Sequence, residues 1–305
     1  MKRILITPRS VTKLGHPALD TLTAKGFQVV LSTAGVQPEE AELLEKLPGC
    51  VGYLAGVENV SARVLEAAQG LRVIARNGVG VDNVDLAAAA RLGVQVLPAA
   101  GSNSRGVSEL TLALILAAAR SISFSDAQIK AGRWERRQGF ELQGRTLGLI
   151  GCGNIGQRVA RMARGMDMRV LAYDVCASSI QCADVTFCPL DEVIRTADVI
   201  SLHCAADPGA KPLVDAAFLG KMKKGAILIN TARASLLDAA AVMAALDAGT
   251  LAGLATDVFA REPPGDDPLV RHARVIATPH IGGFTTESVD RAVEGAVENI
   301  LRVLA

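Results

Sequence analysis

The chain has 305 residues, half of them apolar and 21% charged, with a formal net charge of +1. That length suits about two domains of ordinary size, and the composition excludes an intrinsically disordered chain. The near-zero charge argues against a dedicated nucleic-acid binder, which carries a basic excess or stripe.

At the N-terminus, Met1-Lys2-Arg3-Ile4-Leu5-Ile6-Thr7 sets only three apolar residues after two charges. An export signal needs a run of roughly 7–15. Leu112–Ala119 is the best apolar run and falls short of the ~18 residues of a membrane span. The cysteines (Cys50, Cys152, Cys176, Cys182, Cys188 and Cys204) form no Cys-x-x-Cys pair and no zinc spacing. The expectation is a cytoplasmic protein with reduced, mostly buried thiols, no metal, and neither membrane nor nucleic acid as partner.

Short β-branched runs then alternate with Ala/Leu-rich helical segments. Strands are expected at Ile4–Thr7, Gln28–Leu31, Val51–Leu54, Arg72–Ala75 and Val94–Leu97. Helices are expected between them near Ala18–Lys25, Pro38–Leu47, Ser61–Ala68 and Leu86–Leu92, with Pro38, Ser61 and Asp85 as starts. Such alternation implies parallel strands with crossover helices, an α/β class. A break at Pro98-Ala99-Ala100-Gly101-Ser102-Asn103 precedes a long helix, Ser104 to Ser121, apolar on nearly all sides and expected to lie buried between domains. The cluster Arg133, Arg136 and Arg137 reads as a solvated face, and Trp134 as packing. A second series of strands follows at Leu147–Ile150, Val170–Tyr173, Val185–Phe187, Val199–Leu202, Ala226–Asn230, Gly253–Val258 and Val275–Ala277. The last helix, Thr286 to Leu304, follows Gly282 and Gly283.

The turn Gly151-Cys152-Gly153-Asn154-Ile155-Gly156 sits between a buried strand and a helix with Ile155, Val159, Met162 and Met166 at helical spacing. A lone G-x-G-x-x-G is weak, but strand, turn and helix in this order mark a dinucleotide site. Gly151 permits the turn, Gly153 lets backbone approach a pyrophosphate, and Gly156 lets the helix pack on the strand. The helix N-terminus presents free N–H groups to the phosphates. Asp174 ends the next strand, 18 residues after Gly156. Its carboxylate suits ribose hydroxyls and would repel a 2′-phosphate, so the cofactor is read as NAD.

Hydride transfer at a carbonyl or alcohol also needs a proton carrier, a group that tunes it and a cation for the substrate. His280 follows the last strand, in Thr278-Pro279-His280-Ile281-Gly282-Gly283. Arg233 follows another in Asn230-Thr231-Ala232-Arg233, and Glu262 follows a third in Asp257-Val258-Phe259-Ala260-Arg261-Glu262-Pro263. His203 also follows a strand, and His272 lies in a charged, solvated segment. Ligands in such sheets bind beyond the carboxyl ends of strands.

These motifs, together with Asn77-Gly78-Val79-Gly80-Val81-Asp82-Asn83-Val84-Asp85, resemble the D-isomer-specific 2-hydroxyacid dehydrogenases over nearly the whole chain, in their phosphoglycerate-dehydrogenase-like branch. The resemblance implies two Rossmann-like or flavodoxin-like parallel-sheet domains separated by an active-site cleft. Residues 1–98 with 284–305 would bind substrate, and residues 99–283 would form the NAD-binding domain. His280 would exchange the hydroxyl proton, with Glu262 orienting it and favouring the imidazolium. Arg233 would hold the carboxylate and the reacting oxygen. Asn77, Gly78 and Val79 would hold the carboxylate by backbone N–H groups. Gly151, Gly153, Asn154, Ile155, Gly156 and Asp174 would bind the dinucleotide, and Cys204, Thr231, Ala232, Asp257 and Gly282 would line the nicotinamide site. The resemblance also implies a homodimer through the cofactor domain and the helix near Ser104–Ser121.

The hydroxyacid itself is less legible. Phosphoglycerate dehydrogenases carry an Arg-Ser pair where this chain has Ala55-Gly56, with Glu58 adding a negative charge. Arg76 remains as a cation to meet an anionic tail. With the sequence ending at Ala305, the expectation is also that the C-terminal regulatory extension of some phosphoglycerate dehydrogenases is absent. A glyoxylate or hydroxypyruvate reductase is therefore an alternative. A rival of another class is an NADH-sensing corepressor-like binding protein; the expectation that no disordered arm precedes the first strand or follows the last helix counts against it.

Overall fold

The computed structural model describes residues 1–207 and 209–304. Contacts divide the chain into two compact units: Met1–Asn103 with the segment from Gly283 on, and Ser104–Gly282.

In the first unit the described residues form a five-stranded sheet of β1 (Arg3–Ile6), β2 (Gln28–Leu31), β3 (Cys50–Ala55), β4 (Val73–Arg76) and β5 (Gln95–Pro98), in the order β2-β1-β3-β4-β5. Every neighbouring pair is parallel. This is the flavodoxin-like order. Helices cover both faces, which is why β3 and β4 are apolar almost throughout and buried. Ser61 and Asp85 cap their helices by accepting hydrogen bonds from the N–H groups of Val64 and Ala88. Pro38 does not start its helix, which runs Glu40–Lys46 after the extended Glu39. The terminal helix Thr286–Leu304 lies on this sheet through Val293, Ala296, Val297, Ile300 and Leu304. Each such buried Val, Ile or Leu contributes roughly 1.5–3 kcal/mol. Gly52 permits the approach, since a Cβ there would stand 3.1 Å from Leu304 Cδ1.

In the second unit the described residues form a seven-stranded sheet of β6 (Thr146–Ile150), β7 (Arg169–Tyr173), β8 (Thr186–Phe187), β9 (Val199–Leu202), β10 (Ala226–Asn230), β11 (Leu251–Thr256) and β12 (Val275–Ala277), in the order β12-β11-β10-β9-β6-β7-β8. It too is parallel throughout. The chain runs outward from β6 to β8 and then restarts at β9 on β6's other side. That reversal makes the carboxyl ends of β6 and β9 the switch point where ligands bind in such sheets. β6 is buried at every residue, and the helix Leu190–Thr196 presses on it so closely that a Cβ at Gly148 would stand 2.7 Å from Val193 Cγ1.

Several expectations change here. The long helix ends at Ala119 and packs on the second unit's own helix Asn154–Arg164 and on β10 and β11. It buries one face, with Val107, Thr111, Leu114 and Ile115, and exposes Arg105, Glu109 and Leu116. Its alanines read as apolar on every side but tolerate water readily. Trp134 is not packing: it is 82% exposed, and the neighbouring helix Ile122–Lys130 buries no residue. Arg133, Arg136 and Arg137 are exposed as expected. Only Cys50 and Cys152 are buried; Cys176 is exposed, and Cys182, Cys188 and Cys204 are half-buried. All six are free thiols. The strand expected at Gly253–Val258 ends at Thr256, whose hydroxyl donates to the carbonyl of Val258 and turns the chain out of the sheet. Among the described residues no single helix is long and apolar enough to cross a membrane.

Candidate active site

The glycine turn leaves β6 at the switch point. Gly151 has φ +93°, and a Cβ there would lie 2.6 Å from Cys204 N. Only glycine fits. At Gly156 a Cβ would collide with the carbonyl oxygen of Gly151, so the helix can sit this close to the strand only without a side chain. Gly153 differs: nothing lies within 4 Å of its Cβ position, leaving an open face for a ligand's phosphates. The helix Asn154–Arg164 starts there without a side-chain cap. Asn154 is exposed at its first position and Ile155 packs half-buried on the core. The first-turn N–H groups are therefore unclaimed by a cap and suit an anion.

Beside the turn lies a cavity of about 400 Å³ lined by Gly151, Gly153, Asp174, Val175, His203 and Cys204, among others. Asp174 is held in place, its carboxylate accepting from the N–H of Cys152 at 2.7 Å and of Cys176 at 2.8 Å. The side chain after it, Val175, is 86% exposed and carries no charge for a 2′-phosphate. His203 donates its backbone N–H to Ile150 O, and its Nε2 lies 2.9 Å from Ser201 Oγ. Burial pulls its pKa down to about 4, so it is a neutral wall of the cavity at pH 7. Burial likewise pushes the Cys204 thiol up, which keeps it protonated.

The three side chains expected to carry chemistry leave three adjacent strands. Asn230 pairs with Thr256, and Thr256 with Ala277, so β10, β11 and β12 end side by side. Arg233, Glu262 and His280 emerge from the loops that follow. Each loop is tied down. Buried Asn230 donates from Nδ2 to Arg233 O at 2.9 Å and accepts at Oδ1 from the N–H of Ala232 at 3.0 Å. Arg233 Nη1 donates to Ala232 O, and Thr231 Oγ1 lies 3.0 Å from Thr111 Oγ1 on the long helix. Asp257, 2% exposed, accepts from Thr278 Oγ1 at 2.7 Å and from the N–H groups of Ile281 and Gly282 at 2.8 Å each.

The oxygens of Asp257 are turned to the segment 278–282, so it clamps the His280 turn. Gly282 is buried, and a Cβ there would stand 3.1 Å from Asp257 Oδ2 and 3.2 Å from Val107 Cγ2.

His280 itself adopts φ +53°, a left-handed conformation that the clamp enforces. Its Nδ1 lies 2.9 and 2.8 Å from the two oxygens of Glu262. Glu262 Oε1 also accepts from the N–H of Phe259 at 3.2 Å. Nε2 is thus the nitrogen not engaged by Glu262, on a side chain that is 52% exposed.

In the first unit, Asn77, Gly78 and Val79 follow β4. Asn77 donates its N–H to Ala55 O, and Gly78 O accepts from the N–H of Ala99. Val79 is 40% exposed. Arg76 departs from expectation. It is buried, donating from Nε to Gly80 O at 3.0 Å and from Nη1 to Ala55 O at 3.1 Å. Two of its three nitrogens hold the loop. Sequence reasoning also missed the bracing by Asn230, the clamping by Asp257 and the neutrality of His203. A polar residue ending an otherwise apolar strand, as at Asn230, is the signal that could have found the first.

Residues 112–282 match the family model described as "D-isomer specific 2-hydroxyacid dehydrogenase, NAD binding domain". The D-3-phosphoglycerate dehydrogenase of Methanocaldococcus jannaschii is 40% identical over 314 aligned residues, covering 100% of this chain and 58% of that protein. The chain spans about half the length of the curated relatives it matches. The crystal structure of the TT0316 protein from Thermus thermophilus is 39% identical with a TM-score of 0.88, over 99% of this chain and 96% of that one. D-lactate dehydrogenase from Aquifex aeolicus, solved with NAD and lactic acid, is 26% identical with a TM-score of 0.81, over 98% and 94%. With the glycine turn, Asp174 and the ordered loops of β10, β11 and β12 in place, the chain belongs to the D-isomer-specific 2-hydroxyacid dehydrogenase family, and its second unit carries that family's NAD-binding domain.

Proposed function

We propose that the chain is an NAD-dependent dehydrogenase acting on the CH–OH group of a small D-2-hydroxyacid, and on the matching 2-oxoacid in reverse. The observation that carries this reading is the His280–Glu262 contact at 2.8 Å, on the loops of adjacent strands, with Arg233 on the loop of the next. NAD, when bound, takes up or delivers the hydride at C2. His280 Nε2 accepts the hydroxyl proton in oxidation and returns it in reduction. Glu262 fixes the ring through Nδ1 and offsets the positive charge it acquires. Arg233 binds the carboxylate with its planar fork. The N–H groups around Asn77, Gly78 and Val79 supply further donors. Gly153, Asn154, Ile155 and Asp174 hold the pyrophosphate and ribose, and Thr231, Ala232 and Cys204 line the nicotinamide end. The substrate and cofactor domains are read as residues 1–98 with 284–305 and as residues 99–283.

The reading includes a homodimer in the cytoplasm. It is supported by exposed apolar side chains on the second unit, Leu116, Ile122, Ile129 and Trp134, and by six free thiols. The test is NADH consumption with a panel of small 2-oxoacids, together with Arg233→Ala. Turnover that vanishes in the variant, with NADH binding intact, supports the assignment. NADH binding without turnover of any oxoacid favours a sensor instead.

A further inference from the structure

The carboxyl ends of β1, β3 and β4 enclose a buried polar cluster that the proposed chemistry does not use. Glu58, 2% exposed, lies at its centre. Its Oε1 accepts from Thr7 Oγ1, from the Tyr53 hydroxyl at 2.5 Å and from the N–H of Gly56 at 2.8 Å. Arg76 is buried in the same cluster and gives Nε to Gly80 O and Nη1 to Ala55 O. A second tie comes from Asn83, whose Nδ2 donates to Glu58 O at 2.5 Å. The loop that leaves β4 at Asn77 therefore rests on the segment 55–60 through Arg76 at one end and Asn83 at the other.

We infer that Glu58 and Arg76 are a buried positioning pair that sets the backbone of the loop Asn77–Gly80 for a substrate carboxylate, and that confines the enzyme to 2-oxoacids whose tails carry no phosphate. This rests on the dehydrogenase reading above. Among the described residues no acceptor engages the N–H of Gly78 or Val79, and a Cβ at Gly78 would meet nothing within 4 Å. That open pair of donors fits one carboxylate. A second anionic group would need a cation, and the cluster withholds one. Arg76 is turned inward, its charge opposed by Glu58 and Asp82. A Cβ at position 56 would stand 2.7 Å from Glu58 Oε2 and 3.3 Å from Pro8 Cα, so a side chain there would have to displace Glu58. Burial and the adjacent Glu58 push the Tyr53 hydroxyl well above its usual range, so it stays a donor to Glu58. A phosphate-bearing tail at this edge would gain no cation from the cluster, since Arg76 gives Nε and Nη1 to the loop and its charge is already opposed by Glu58 and Asp82.

The test compares wild type, Glu58→Gln and Tyr53→Phe. It uses steady-state kinetics with hydroxypyruvate and 3-phosphohydroxypyruvate, and calorimetric titration of oxamate into the NADH complex. Wild type should prefer hydroxypyruvate by at least about tenfold in kcat/KM. Glu58→Gln should raise the oxamate Kd and the hydroxypyruvate KM about tenfold, with kcat within about twofold and NADH affinity unchanged. It should also narrow the preference, because Arg76 is no longer balanced. Tyr53→Phe should move the same constants in the same direction by about threefold, and it carries the test if Glu58→Gln fails to fold. A wild-type preference for the phosphorylated acid, unchanged oxamate binding in the folded variants, or a joint loss of kcat and NADH affinity overturns the inference. If no oxoacid is turned over but oxamate binds and weakens in the variants, the dehydrogenase reading fails and the positioning pair stands. If oxamate does not bind wild type, both fail.

Discussion

His280 Nδ1 stands 2.8 Å from Glu262 Oε2, although the two residues lie 18 apart in the chain and follow different strands. The contact fixes which nitrogen faces away from Glu262 and, on the proposed reading, exchanges a proton with substrate. Replacing Glu262 with Gln keeps the shape but removes the charge that offsets a protonated ring. Stopped-flow and steady-state assays should show kcat falling about 10²-fold with NADH Kd unchanged. An unaltered kcat would remove Glu262 from the proton-transfer machinery.

The glycines of the turn should separate into two kinds. Gly151→Ala forces a Cβ to 2.6 Å from backbone atoms at a positive φ, and should lower stability by about 3 kcal/mol or more in thermal melts. Gly153→Ala meets no atom within 4 Å and has φ −73°, so melting should not change. Its methyl group stands where phosphates approach, and NADH Kd should rise about tenfold. Equal effects on both measurements would contradict this division.

Asp257→Asn should act on His280 from a distance. One carboxylate oxygen becomes an NH2 group facing backbone N–H donors, so the turn 278–282 loses part of its clamp. Loss of about 1–3 kcal/mol in stability is expected, with kcat reduced and NADH binding close to wild type. Retained kcat would show that the turn holds without the carboxylate.

Stability should depend on pH through His203. Its folded pKa, about 4, lies below the ordinary value, so the unfolded chain binds the proton more readily. The stabilisation is therefore complete above roughly pH 6.5 and is lost as pH falls from there towards 4, up to about 3 kcal/mol. His203→Gln should flatten that slope in melts taken between those limits. A slope unchanged by the substitution would assign it to other groups.

Much of this was legible in the sequence because parallel sheets covered on both faces need continuous apolar strands, and those stand out. Gln28–Leu31 and Thr286–Leu304 fall where their patterns place them, and most other strands within one or two residues. Short helices such as Arg9–Leu14, Leu190–Thr196 and Ala216–Lys221 leave no clear pattern in the sequence, since six or seven residues hold too few turns to show a period. The His280–Glu262 contact was legible only through family motifs. Spacing along the chain says nothing of which strands end side by side. The burial of Arg76 beside Glu58 is not legible in the sequence, because the two lie on different strands and loops.

The clamp of Asp257 on Thr278, Ile281 and Gly282 is complete in the protein alone. The turn that carries His280 is therefore held by the chain's own groups. On the proposed reading, binding energy need not be spent on assembling this turn, and the chemical step starts from a proton carrier already in place.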